Sequence, residues 1–180
     1  MIIATALGAL FDGMTIRYNN TDVTVNYHYG DQKELNAWIK NMTNADVRKY
    51  PLVWYILNDF TELNGWYETE ARVIVFQNTL SEWFNPKRQE ESYTKIIEPV
   101  TKEIEKRLTQ SGYVEIRSRD LKTRFIKKDE PNYGVDTNNE NLTSSDFKST
   151  KSYGTKSIST DIVDARLIRF PLRIKAECLI

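Results

Sequence analysis

Cysteine occurs once in this chain, at Cys178, and histidine once, at His28. A single thiol excludes an intramolecular disulfide, and an intracellular, reducing setting is expected. One His and one Cys are too few for a nitrogen and sulfur zinc site. Nothing in their spacing makes them a nucleophilic pair with a third orienting group. Cys178 instead continues the apolar face of the last predicted strand, as a small hydrophobe does. Glycine is scarce too: the seven scattered residues form neither a Walker loop nor a G-x-G-x-x-G turn. Net charge is absent, with 25 Lys plus Arg against 25 Asp plus Glu, so no global electrostatic case exists for a nucleic-acid or membrane partner. No apolar run reaches the ~18–20 residues that a membrane-spanning helix needs. A soluble protein is the expectation.

The opening MIIATALGALF has small and apolar residues but no basic n-region. Ile3, Leu7, Leu10, Phe11 and Met14 recur at helical spacing, so an amphipathic helix is expected rather than a secretion signal. The closing ECLI carries its cysteine one position away from a prenylation box. Carboxylates are plentiful, yet none falls in a D-x-D-x-D-G calcium loop. Asp59 with Glu62, and Glu68 with Glu70, sit where solvated acids are expected. No cofactor, metal or catalytic constellation is expected, and the chain reads as a non-enzymatic protein.

What the chain does have is aromatics, 12% of its residues with ten tyrosines and four tryptophans, which suit cores and interfaces alike. At 180 residues, one domain with one buried core is the default. After the first helix, Val23, Val25, Tyr27 and Tyr29 alternate with polar residues as one half-buried strand. Gly30 ends it, and Asp31 with Glu34 forms a capping box for a helix through Leu35 and Trp38. In KYPLVWYIL, Pro51 has no N–H to donate and belongs at the start of a strand, Leu52 to Leu57, covered on both faces. Asn58 to Gly65 reads as a turn, and GWYETEARVIVFQNT as the strongest strand. Asn85-Pro86 opens a helix, with asparagine as cap. Its stripe is Tyr93, Ile96, Ile97, Val100, Ile104 and Leu108, and Pro99 kinks or divides it. Strands are expected at Tyr113–Arg117 and Leu121–Ile126. In the last strand Ile168, Phe170, Leu172 and Ile174 share one face, while Arg169, Arg173 and Lys175 share the other. Pro171 points to a sheet edge or bulge. The expected fold is α+β: a mostly antiparallel sheet with two or three helices on one face.

From Asp129 to Thr160 the chemistry changes to Ser, Thr and Asn, with Tyr133, Val135, Leu142, Phe147, Tyr153 and Ile158 standing apart. No helical or strand period fits them. A loop this long in a compact domain signals function or disorder. Spaced anchors on a polar strap favour an assembly arm that folds onto a partner. Just before it, Arg117, Arg119, Lys122, Arg124, Lys127 and Lys128 outnumber Glu115 and Asp120. This stretch, Arg117 to Lys128, suits a nucleic-acid backbone. Followed at once by Asp129, Glu130, Asp136 and Glu140, it equally suits register-setting contact between copies, and subunit contact is the favoured reading.

The order of the helix through Trp38, RKYPLVWYIL, ETEARVIVFQNT, Asn85-x-x-Arg88, the helix from Ile96 to Leu108, and DARLIRFPLRI resembles the neck proteins of tailed bacteriophages. The group is that of tail-terminator and tail-completion, or head-tail joining, proteins. YGDQKELNAWI and DEPNYGVDTN look like segments of homologues in phages of gut Bacteroidales, including crAss-like phages. The resemblance covers most of the chain, through order and spacing rather than any single motif. It implies a small α+β fold assembled into a ring of six or twelve copies in the virion neck, made in the host cytoplasm. Such a ring joins a portal or adaptor protein to the adjacent tail component, with genomic DNA passing through its lumen. It carries no catalytic residues to transfer. The arm from Asp129 to Thr160 exceeds the loops usual in the group.

Overall fold

Apolar spacing gives way to nine strands and a set of helical segments in the computed structural model, which describes residues 2–41, 49–79, 83–116, 125–131, 133 and 163–176. The chain runs α1 (Ile2–Phe11), β1 (Thr15–Tyr18), β2 (Thr21–Thr24), β3 (Asn26–Gly30), α2 (Gln32–Asn41), β4 (Leu52–Ile56), β5 (Thr61–Leu63) and β6 (Trp66–Asn78). One helical rod follows, made of α3 (Asn85–Arg88), a π-helical segment (Gln89–Ile97) and α4 (Glu98–Gln110). Then come β7 (Val114–Ile116), β8 (Ile126–Glu130) and β9 (Val163–Lys175). Mixed α+β architecture is thus the observed class.

The main sheet has the order β3-β4-β6-β9-β7, with β5 added to β6 and β8 added to β9. Only the β3–β4 pair is parallel; β4–β6, β5–β6, β6–β9, β7–β9 and β8–β9 are antiparallel. The long pair β6–β9 is the spine, in register from Trp66 opposite Lys175 to Asn78 opposite Val163. One sheet face, carrying Val53, Tyr55, Val73, Val75, Ile168 and Phe170, packs against Leu7, Phe11, Ile97, Val100, Ile104 and Leu108 of the helices. The other face carries Leu52, Trp54, Ile74 and Phe76, covered in part by Leu35 and Trp38 of α2.

Several expectations need correction. The predicted strand through Val23 to Tyr29 is two strands broken at Val25. β2 folds back on β1 in a separate two-stranded sheet, and only β3 joins the main one. Asn19 and Asn20 both hold positive φ at that hairpin's tip, the conformation a type I′ turn demands. Likewise Asn58–Gly65 is not all turn: β5 lies within it, and Asn64-Gly65, both at positive φ, is the two-residue hinge to β6. Helices do not all lie on one face, because α2 crosses to the opposite side. The predicted Leu121–Ile126 strand lies mostly outside the described residues; the strand described here is Ile126–Glu130. Asn85 is the first helical residue rather than the cap; Phe84 holds the cap position and makes no side-chain cap bond.

Other expectations hold. The Glu34 N–H donates to Asp31 Oδ1 at 2.8 Å, and the Asp31 N–H donates to Glu34 Oε2 at 2.7 Å, a reciprocal capping box. Pro99, however, does not divide its helix: Ile97 and Glu98 keep right-handed helical dihedrals, and the rod passes from the π-helical segment straight into α4. Ahead of it, the Glu98 N–H reaches back to the Tyr93 carbonyl, a π-helical step. The edge expected at Pro171 is a further correction: the proline lies in β9, inside the sheet, opposite Glu70 of β6. β8 covers Ala165–Arg169 and β7 covers Leu172–Ile174, so the proline sits opposite the gap between two flanking strands.

Candidate assembly site at the root of the arm

Arm residues Val135, Leu142, Phe147 and Tyr153 lie outside the described residues, as do Arg117, Arg119, Lys122 and Arg124 of the basic stretch. The beginning of the arm, residues 129–131 and 133, is described, and description resumes at Val163, beyond its far end. Asp129 and Glu130, expected to begin the irregular segment, belong to β8 and pair with Arg166 and Ala165 of β9. The arm therefore leaves and re-enters the sheet between two neighbouring antiparallel strands. Beyond β8, the Tyr133 N–H donates to the Val163 carbonyl at 2.8 Å. The Tyr133 ring meets Phe76 edge-on at 5.0 Å between centroids, and its hydroxyl lies 3.2 Å from Gln32 Oε1. Tyr133, the first of the spaced anchors, is seated on the sheet.

Charged groups brace this root from beneath. Arg166 offers its fork to Asp129, with Nε at 2.6 Å from Oδ1 and Nη2 at 3.0 Å from Oδ2. Its remaining Nη1 donates to Glu98 Oε2 of α4. Such a bidentate guanidinium–carboxylate pair fixes direction as well as distance. The bonds to Asp129 hold the Arg166 guanidinium firmly protonated despite burial, with Glu98 adding to them. Burial pushes the Glu98 carboxyl up, but the Arg166 bond and charge, with Lys127 and Lys102, bring it below the usual range. One step along β9, fully buried Asp164 meets buried Arg88 at 3.2 Å. Between them, the Tyr93 hydroxyl reaches the Ala165 carbonyl at 3.4 Å. A cleft of about 490 Å³ opens here, lined by Asn85, Pro86, Arg88, Gln89, Tyr93, Asp129 and Pro131.

This ionic root escaped the sequence reading, although a signal existed. Asp164 and Arg166 continue, at steps of two, the apolar face defined by Ile168 and Phe170. Charges on a core-facing parity must be paired. Arg88 entered only as part of a spacing pattern. Of the basic stretch, Lys127 is held by Glu105 at 2.6 Å and Lys128 by Glu130 at 2.7 Å. Arg173 of β9 is engaged in the same way, by Glu68 at 2.7 Å and across the Trp66 ring at 4.3 Å. Among the described residues, no group of three or more His, Cys, Asp or Glu is placed to hold a metal ion. No helix of the described residues is long and apolar enough to cross a membrane. No family model matches the chain, and a search of curated proteins found no match.

Tyrosine ionisation gives a direct check on the packing of this region. Burial raises the hydroxyl pKa of Tyr93, with Asp164 and Asp129 adding to it. Burial also raises Tyr133 against the opposing bond to Gln32, Tyr27 with help from Tyr55 and Tyr29, and Tyr55, pushed up to about 12. A folded pKa above the unfolded value of about 10 means stability is intact below that pH and lost as pH rises beyond it. Absorbance at 295 nm is expected to show these four ionising together with alkaline unfolding, in step with circular dichroism. Their ionisation in a folded chain near pH 10 would contradict the burial described.

Proposed function

We propose that this chain is a structural subunit of a bacteriophage neck, forming a ring of six or twelve copies between the portal or adaptor side and the next tail component. DNA passes through the ring without sequence-specific contact, and the protein resides in the virion. One observation carries the reading: an arm of residues 134–162 issues from a hairpin whose root is clamped at Arg166, Asp129, Glu98 and Tyr133. A hairpin needs only about 2–5 residues to turn. A connection over 131–162, with Val135, Leu142, Phe147 and Tyr153 spaced along a polar strap, is chain in excess of that need. A fixed root with spaced anchors suits docking on a neighbouring subunit. The order of motifs shared with phage neck proteins is the second support.

Nucleic-acid binding through Arg117–Lys128 is the weaker alternative, since Lys127 and Lys128 are each matched to a carboxylate. Native mass spectrometry of the purified protein, with electron microscopy of particles, tests the ring: six or twelve copies at the neck are expected. A strictly monomeric protein absent from virions overturns the proposal. For the alternative, retardation of DNA at low salt that weakens steeply with added salt would move the reading toward it.

A further inference from the structure

Two arginines stand side by side in the middle of the main sheet. The register sets Ile56, Arg72, Arg169 and Ile126 in one row across β4, β6, β9 and β8, and directly opposite residues share a face. That face is the one α2 covers, two residues along from buried Trp54 and Ile74. The row holds no acid, and like charges directly opposite each other destabilise a sheet. Arg72 reaches Glu70 only at 4.0 Å, with both side chains more than half exposed, a contact worth little. Arg169 meets no carboxylate among the described residues, whereas Arg166 and Arg173 of the same strand each meet two. Ile126, 50% exposed, ends the row with apolar surface.

The far flank of the sheet carries the complement. Residues Leu57–Leu63 run along the edge of β6 away from β9, tied there by Asn58 to the Glu70 carbonyl, by the Thr69 hydroxyl to the Asp59 carbonyl, and by the β5 ladder. Leu57, Phe60 and Leu63 are 38%, 43% and 54% exposed. Between them lie exposed Asp59 and Glu62. Alone among the described acids, these two carboxylates make neither an ion pair nor a hydrogen bond.

From these leftover charges we infer that neighbouring copies join flank to face: the Leu57–Leu63 ridge of one subunit docks on the Arg72–Arg169 row of the next. Asp59 and Glu62 meet the two guanidiniums, whose planar forks suit carboxylates, and the ridge's apolar side chains cover Ile126. Opposite charge across the contact sets partner and register. Because ridge and row are different surfaces, the contact is head-to-tail, the kind that closes into rings. A phosphate backbone fits the row less well, since Glu68, Glu70 and Glu115 occupy the same face. This inference rests on the ring reading and names the surfaces that close it.

Charge reversal in full-length chains tests the pairing. Asp59→Lys/Glu62→Lys changes the ridge, and Arg72→Glu/Arg169→Glu changes the row. None of the four side chains is buried, and circular dichroism confirms the fold of each variant. Either variant alone sets like charges against each other at every contact, and is expected to need at least about tenfold more protein to assemble than the unaltered chain. Mixed in equal amounts, the two restore opposite charges only where they alternate. Native mass spectrometry of differently tagged variants, in solution or from particles, should then show rings holding equal numbers of each. Unaltered rings, together with variants that assemble alone just as readily, overturn the docking and leave the ring standing. So do variants that fail alone and stay apart when mixed. An unaltered chain that is monomeric in solution and absent from particles overturns both.

Discussion

Replacing Asp164 by alanine is expected to destabilise the protein by about 3–5 kcal/mol, the usual cost of breaking a buried ion pair by removing one partner. Asp164 is fully buried and Arg88 is 8% exposed at the side chain, so the guanidinium loses its buried carboxylate and regains little hydration in exchange. For a chain of this size the loss corresponds to a fall in Tm on the order of 6–20 °C. The double variant Asp164→Ala/Arg88→Met removes both charges and should regain most of the loss, since an apolar pair in place of a buried ion pair is often neutral. Urea unfolding of the four proteins of the cycle measures the coupling directly. A loss of under about 1 kcal/mol for Asp164→Ala, within the range of an exposed pair, would mean that Arg88 reaches water and that the ionic root does not hold the strands.

That pair also marks where sequence reasoning reaches its limit. Local rules read well wherever the deciding interaction lies within a few residues: the Asp31–Glu34 capping box, the continuous burial of Leu52 to Tyr55, and the alternation of β9. They failed where the partner is distant in the chain. Pro171 looked like an edge marker because nothing local reveals that two short strands abut opposite it. The Val23–Tyr29 alternation continues through Val25 without a break in period, yet two different sheets claim its halves. The Asn19-Asn20 pair, a recognisable type I′ signal, was the clue to the extra hairpin. The arm was legible as a composition change. Its root was not, because Glu98, Asp129 and Arg166 meet only once α4, β8 and β9 are assembled. Lys102, at i+4, does contact Glu98 at 3.7 Å, but Arg166 is the partner that holds it.

Trp54, inside KYPLVWYIL, answers whether that segment is architecture or a binding wall. Its side chain is 2% exposed, with ring centroids 6.2 Å from both Trp38 and His28. Its indole N–H donates to the Gly30 carbonyl at 3.2 Å. It is the seat on which α2 rests on the sheet, so Trp54→Ala removes a large buried volume and the grip on that helix together. A loss of about 3–5 kcal/mol is expected. Trp54→Phe should cost much less, because a ring remains and the Gly30 carbonyl still accepts from the Leu57 N–H at 3.1 Å. His28, the only histidine, reports the change independently. His28 is exposed on β3, and the partial desolvation of its ring beside Trp38 and Trp54 holds its imidazole below the usual range against the opposing pull of Asp12; losing the Trp54 ring removes part of that cover. Its NMR titration midpoint should therefore rise toward about 6.5 in Trp54→Ala and stay low in Trp54→Phe. Hydrogen exchange in α2 should quicken in the alanine variant alone. Unchanged stability and an unmoved His28 midpoint would place Trp54 at a surface, and make KYPLVWYIL a wall waiting for a partner.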